Sequence, residues 1–435
     1  MLKDIGVDSF EELIAAIPGG LRLKEFALPD ALNELDLIKH TKGLSLENKS
    51  AADFLSFLGA GCYEHFTPSI VNHVLSRSEF YTAYTPYQAE ASQGTLQTIF
   101  EYQTMMSELT GMDLSNASNY DGASATAEAA LLSLRHTGRN KILVARSLHP
   151  EYSKTVETYL SGSDFEIVEI PFTAEGFLDK TFLEQNLDDS VASLIVQTPN
   201  FLGLVEDFEG ISEKVHQVGA LFIMAVNPTS LGLFKSPGEW GADIAVGEGQ
   251  PLGVPMSLGG PSLGFFAVKK PLMRKIPGRL VGLTLDRNEK RCFTLTLQAR
   301  EQHIRREKAG SNICTNQALL ALAACVYLAA LGKEGMKDVA EFNYRSASYL
   351  KNELAKIDGL EVPYQGTFFN EFILKSNKIS ASELNKKLYE AKIFGGVELK
   401  DFYSDCEDSL LVCVTETKSQ ADLDYYISTV KEILS

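Results

Sequence analysis

Leu221-Phe222-Ile223-Met224-Ala225-Val226, entered by Gly219-Ala220, is apolar without a break. A strand with no polar face must be covered on both sides, as in a parallel sheet flanked by helices. The same pattern repeats outward from it. Apolar strands are expected at Lys141–Ala145, Glu166–Ile170, 193–197, 244–246 and Gly264–Val268, and helices at 125–136, 151–160 and 211–218. Such alternation predicts an α/β domain with a mainly parallel sheet. Ahead of it, 95–110 reads as a helix with the stripe Leu96, Ile99, Phe100, Met106 and Leu109, closed by Gly111.

Both flanks differ from this core. Residues 1–60 read as a helical N-terminal arm: Ser9 and Glu12 have capping-box spacing, Pro18-Gly19-Gly20 stops that helix, and 31–39 and 51–58 are expected as further short helices. After 61–310, the large α/β domain, residues 311–435 read as a small C-terminal α+β domain. It opens with helices at 317–331 and 336–357. The apolar run 318–331 has 14 residues, fewer than the roughly 18 to 20 of a membrane span, and is expected to be a buried helix.

With 435 residues, 45% hydrophobic and 22% charged, the chain can bury a large core. Its net charge of −17 argues against nucleic acid or an anionic membrane as a partner for the molecule as a whole. Residues 269–308 oppose that sum, with twelve Lys or Arg against four Asp or Glu. This stretch reads either as a solvated basic face or as a docking surface for an acidic partner. Six cysteines without CxxC spacing, and no leader-like apolar start, fit a reducing cytoplasm, and no metal site is expected.

Several chemistries fail on spacing. Gly247-Glu248-Gly249 lacks a third glycine and a following helix, so it is not a dinucleotide fingerprint, and no GxxxxGK[ST] occurs. Seven histidines form no HxxxH pair, and there is no GxSxG elbow.

Two segments stand out. Phe80-Tyr81-Thr82-Ala83-Tyr84-Thr85-Pro86-Tyr87-Gln88 can present several hydroxyls from a proline-fixed turn, for a small carboxylate or a thiol-bearing arm; it equally suits a packed subunit interface. In Asn119-Tyr120-Asp121-Gly122-Ala123-Ser124-Ala125-Thr126, a helix opens with small residues. Its first amides, at Ser124, Ala125 and Thr126, are a candidate phosphate site, with ordinary N-capping by Ser124 as the alternative.

These segments, together with Ile5-Gly6-Val7, Glu90-Ala91-Ser92-Gln93-Gly94, Gln197-Thr198-Pro199-Asn200-Phe201, Gly278-Arg279-Leu280-Val281-Gly282, Gln298 to Arg306 and Ser311-Asn312-Ile313-Cys314-Thr315, resemble the glycine cleavage system P-protein family. Within it the likeness is to the alpha chain of the two-chain form, over nearly the whole length. The resemblance implies the fold type I architecture of pyridoxal 5′-phosphate enzymes, with a large α/β domain and a small C-terminal one.

In that family the cofactor is held by a lysine, and an acid keeps its pyridine nitrogen protonated. Carried onto this sequence, the acid position falls at Ala225 and the lysine position near Pro251, and 243–258 holds no lysine. The resemblance therefore implies a chain with no catalytic residue of its own, inactive alone. Its beta partner would carry pyridoxal 5′-phosphate in a heterotetramer of two alpha and two beta chains. The implied reaction is decarboxylation of glycine, with the aminomethyl group passing to the lipoyl arm of H-protein and CO2 released. Tyr81, Thr82, Tyr84, Thr85 and Tyr87 become candidates for the shared substrate and lipoyl pocket, and Arg300, His303, Arg305 and Arg306 for partner docking. Two rivals remain: a self-sufficient pyridoxal-phosphate enzyme of aminotransferase or desulfurase type using Lys235 or Lys269, and a purely structural subunit.

Overall fold

The uninterrupted apolar runs form the middle of a seven-stranded sheet in the computed structural model, which describes every residue except Lys24 and Phe26. In chain order its strands are β1 (Leu114–Ser115), β2 (Lys141–Ala145), β3 (Glu166–Ile170), β4 (Val191–Thr198), β5 (Leu221–Val226), β6 (Ile244–Glu248) and β7 (Gly264–Val268). They lie side by side as β1-β7-β6-β5-β4-β2-β3, parallel from β3 to β6, with β7 antiparallel to both its neighbours. All six residues of β5 are buried, as a central strand with two covered faces requires.

Helices α1 (Gln93–Thr110), α2 (Gly122–Thr137), α3 (Pro150–Leu160) and α4 (Ala318–Leu354) pack around the sheet. On one face, Ala125, Ala127, Ala129 and Ala130 of α2 are fully buried against Ile142, Ile195, Ile223 and Val246. Alanine brings the helix axis close to the strands, and its first turn is thereby held at the carboxyl ends of β5 and β6. On the other face, Met106 of α1 and Ala321, Ala324 and Tyr327 of α4 join Leu194, Phe222 and Met224.

The two helices expected at 317–331 and 336–357 are the halves of α4, broken at Gly332, whose φ of 61° and ψ of −172° leave the helical region. The whole element is long and apolar enough to span a bilayer by length and composition alone, but its first half is packed into the sheet core. The second half, through Ala347, Leu350 and Leu354, packs in a separate core with the antiparallel strands Leu360–Glu361, Glu371–Ser376 and Ser409–Cys413, and Val397–Glu398 extends that sheet at its edge.

Residues Met1–Asp53 form one compact unit and Phe54–Ser435 the other. In the first, Ser9 caps Phe10–Leu13 as expected, and the helix expected at 31–39 forms as Glu34–Glu47 with Asn33 as its cap. A helix over 51–58 does not form. Leu55–Ser56 is instead a short strand beside Ile393–Phe394, because Phe57 is buried against Tyr426 with ring centroids 4.4 Å apart and Phe54 stacks on Phe394. Burial of Phe57 and the stacking of the half-buried Phe54 override a weak helical preference.

Candidate functional site

At the carboxyl ends of β5 and β6 the chain builds a small polar chamber from residues distant in sequence. Ala225, paired with Gln197 on β4 and Val246 on β6, forms its floor and is 1% exposed. His149 caps α3. Its Nδ1 accepts from the Glu151 amide at 3.2 Å, and its Nε2 lies 2.9 Å from the Ala60 carbonyl. That pattern places the proton on Nε2, and burial pushes the imidazole pKa below its ordinary value, so the ring is neutral.

One turn along α3, the Tyr152 ring lies over His149, with centroids 4.8 Å apart and planes 19° from parallel, and Phe201 meets His149 edge-on. The Tyr152 hydroxyl abuts the start of α2: a Cβ on Gly122 would stand 2.1 Å from Oη and 2.8 Å from the Glu248 nitrogen. Only glycine leaves room for that approach.

Glu248, the last residue of β6, completes the chamber. Its carboxylate accepts the amides of Gly122 at 3.0 Å, Gln250 at 2.9 Å and Leu263 at 2.7 Å. Burial raises its pKa, and those three amides pull it back. An anion at the first amide of a helix occupies the position where such an end binds phosphate. Here the anion is the chain's own. What remains is a cavity of about 30 Å³, lined by Tyr63, His149, Tyr152, Gln197, Ala225 and Glu248 among others and holding no lysine; it has room for water but not for a pyridine ring.

The candidate phosphate site at Ser124, Ala125 and Thr126 needs correction. The cap is Asp121, not Ser124. The Asp121 carboxylate takes the Ser124 amide at 2.6 Å, the Asp121 carbonyl takes the Ala125 amide, and the Thr126 hydroxyl bonds the Gly122 carbonyl. The amide that faces the chamber is Gly122, and it already has a partner.

Pyridoxal 5′-phosphate therefore does not fit this chain's site. The Tyr152 ring covers His149, the chain's own Glu248 carboxylate holds the first amide of α2, Ala225 offers no acid, and Pro251 is buried in the turn after Glu248. Neither rival lysine is at this end of the sheet. Lys269 follows β7 at its far end, its amide bonded to the Asp243 carbonyl, about 13 Å of strand away. Lys235 rests on the Trp240 ring at 4.3 Å, in the segment that leads into the opposite end of β6.

None of the five tyrosine-segment candidates lines this chamber. Tyr81 and Tyr84 border a separate hollow of about 60 Å³ with Ile99 and Leu322, and both are exposed. The exposed Tyr87 carries the Arg279 guanidinium over its ring, 5.5 Å from the centroid. Thr82 bonds the Ser78 carbonyl at 2.7 Å, and Thr85 is half-buried. Of the basic candidates, Arg300 and Arg305 line a third cavity, His303 sits beside Tyr87 and Glu301, and Arg306 is exposed. Tyr152 and Glu248 were not singled out by sequence reasoning. The only signal is Gly247-Glu248-Gly249, which fails as a nucleotide motif, whereas its carboxylate is the feature that matters.

The sheet order, with one antiparallel strand inside a parallel set, and the chamber at its carboxyl end define the pyridoxal 5′-phosphate fold type I class. In agreement, the chain superposes on sphingosine-1-phosphate lyase from Burkholderia pseudomallei with a TM-score of 0.68 at 14% identity, over 96% of this chain and 93% of that one. A NifS-like protein gives 0.67 at 13%, over 88% and 99%. Within this class the chain belongs to the glycine cleavage system P-protein family, whose model matches residues 1–430. A crystal structure of glycine decarboxylase (P-protein) of the glycine cleavage system, in inhibitor-bound form, superposes with a TM-score of 0.92 at 42% identity, over 100% of this chain and 97% of that one. Two similar relatives are each called probable glycine dehydrogenase (decarboxylating) subunit 1. The one from Desulfitobacterium hafniense is 52% identical over 100% of this chain and 97% of its own length, and the one from a Geobacillus species is 50% identical over 98% and 95%.

Proposed function

We propose that this chain is the alpha subunit of a two-chain glycine-cleaving P-protein, acting in the cytoplasm, that holds no cofactor and completes the catalytic site of a beta partner. The observation that carries the reading is the chamber filled from within by Tyr152 and Glu248, in a chain whose residues 1–430 match the family model. In this reading pyridoxal 5′-phosphate sits on the beta chain and supplies the electron sink that lets glycine lose its carboxylate as CO2; the aminomethyl group passes to the lipoyl arm of H-protein.

The contribution of this chain is shape and charge. Tyr81, Tyr84 and Tyr87 expose phenol groups that suit an interface where a small carboxylate and a thiol-bearing arm must be oriented, with Thr82 and Thr85 beside them. The exposed His303, Arg305 and Arg306 belong to a basic stretch on an otherwise acidic molecule, which suits an acidic surface of H-protein or of the beta chain, with Arg300 turned inward beside them. Two alpha and two beta chains make the proposed assembly.

Glycine-dependent exchange of labelled CO2, measured with this chain, with its candidate beta chain and with both, tests the reading. Exchange is expected only in the mixture. Exchange by this chain alone with added pyridoxal 5′-phosphate would overturn it. Tyr84→Phe is expected to lower activity without impairing assembly; unaltered kinetics would remove the tyrosine from the shared site and favour a purely structural subunit.

A further inference from the structure

The third cavity, of about 360 Å³, lies outside the chamber and is lined by Arg135, Arg274, Lys275, Arg300, Arg305 and Lys308. Its size is that of a small-ligand site. The lining holds one carboxylate, Glu301, and among the described residues none of the six cations makes an ion pair within 4 Å. Arg135, Arg274, Lys275, Arg305 and Lys308 are exposed, so solvent screens their repulsion, but six cations around one hollow give it a positive potential that attracts an anion.

Arg300 shows where that anion would bind. Its Nη1 is tied to the Ile276 carbonyl, which fixes the plane of the guanidinium. Its Nε and Nη2 are buried and have no acceptor. Those two nitrogens share one edge of the group, the edge that grips an oxyanion with two parallel hydrogen bonds. A buried cationic donor pair left unmade is expensive, and water is a poor substitute for a charged acceptor there. Ser311 and the chain at Gly278 and Gly310 also line the hollow; a hydroxyl and side-chain-free backbone let a compact ligand approach closely.

We propose that this cavity binds a small oxyanion of the phosphate class, carrying at least two negative charges, with the free edge of Arg300 as its principal grip. A single carboxylate would leave most of the lining charge uncompensated, whereas a phosphate or phosphate ester presents several acceptor oxygens to a ring of cations. The site stands on this chain's own geometry; it shares Arg300 and Arg305 with the proposed docking surface, and a direct phosphate titration of this chain separates the two, since it needs no partner subunit.

Denaturation midpoints of the full-length chain, titrated with inorganic phosphate at constant ionic strength against chloride, test it. Expected is a saturable rise in the millimolar range or below, reproduced or exceeded by glycerol phosphate if an ester is the natural form. Arg300→Lys keeps the charge and loses the fork, so affinity should fall at least tenfold. The exposed Lys308→Gln is the variant safe for folding, and it should weaken binding severalfold. A rise linear in phosphate and equal in wild type and both variants would be general salting and would overturn the proposal. So would binding of hexaglutamate without binding of phosphate, which would make the cavity a docking point for an acidic protein segment.

Discussion

Gly122→Ala probes the filled chamber most directly, because the added methyl would lie 2.1 Å from the Tyr152 hydroxyl and 2.8 Å from the Glu248 nitrogen. Overpacking of this kind costs up to about 3 kcal/mol, and alanine in place of glycine in a helix returns up to about 1 kcal/mol of propensity. The overlap wins, and a net loss of about 2 kcal/mol is expected. Removing the half-buried Tyr152 ring with Tyr152→Ala should cost about 3 kcal/mol, including its stack on His149. Together the two changes should cost less than their sum by at least about 1 kcal/mol, since two of the three atoms nearest the added methyl belong to the Tyr152 side chain that is removed. Urea denaturation of the four proteins with a shared slope reads this coupling. Additivity within about 0.5 kcal/mol, or a neutral Gly122→Ala, would refute the idea that the tyrosine seals the start of α2.

Two buried titratable groups give pH predictions of opposite sign. Glu128, on α2 and 2% exposed, has its pKa raised by burial to about 7 from 4.5, with Ser311 and Arg135 pulling the other way. The native state then holds a proton that the unfolded chain has lost, so stability falls as pH rises from about 4.5 to 7, by of order 3 kcal/mol. Glu128→Gln should remove that slope from the denaturation midpoint, and an unchanged slope would show the carboxylate to be ionised when folded. His149 has a depressed pKa, so its contribution is complete above about 6.5 and is lost as pH falls through the folded value. His149→Asn keeps a cap acceptor and should flatten the acid limb. Tyr152→Phe should leave glycine-dependent exchange by the reconstituted enzyme unchanged, because in the proposed reading this chamber takes no part in the reaction; a large loss of activity would restore it as a working site.

Much of the scaffold is legible in the chain. The apolar runs of β2 to β7 and the glycine and proline punctuation around them mark a covered parallel sheet, since a period of two or a full apolar run is a local property. Gly111 and Gly332 mark helix breaks for the same reason: each needs a positive φ, which other residues resist. The absence of an acid at Ala225 and of a lysine near Pro251 is equally plain from residue identity.

Only the folded structure decided what surrounds Ala225 and the end of β6. Gly122, His149, Tyr152, Glu248 and Leu263 belong to four separate stretches of chain that meet only because the parallel crossovers bring their ends to one edge of the sheet. No local pattern marks a carboxylate that bonds an amide 126 residues away. Residue identities therefore give what stands at Ala225 and Pro251, and long-range packing, which sets side-chain neighbours independently of sequence distance, decides that Tyr152 and Glu248 fill the chamber beside them.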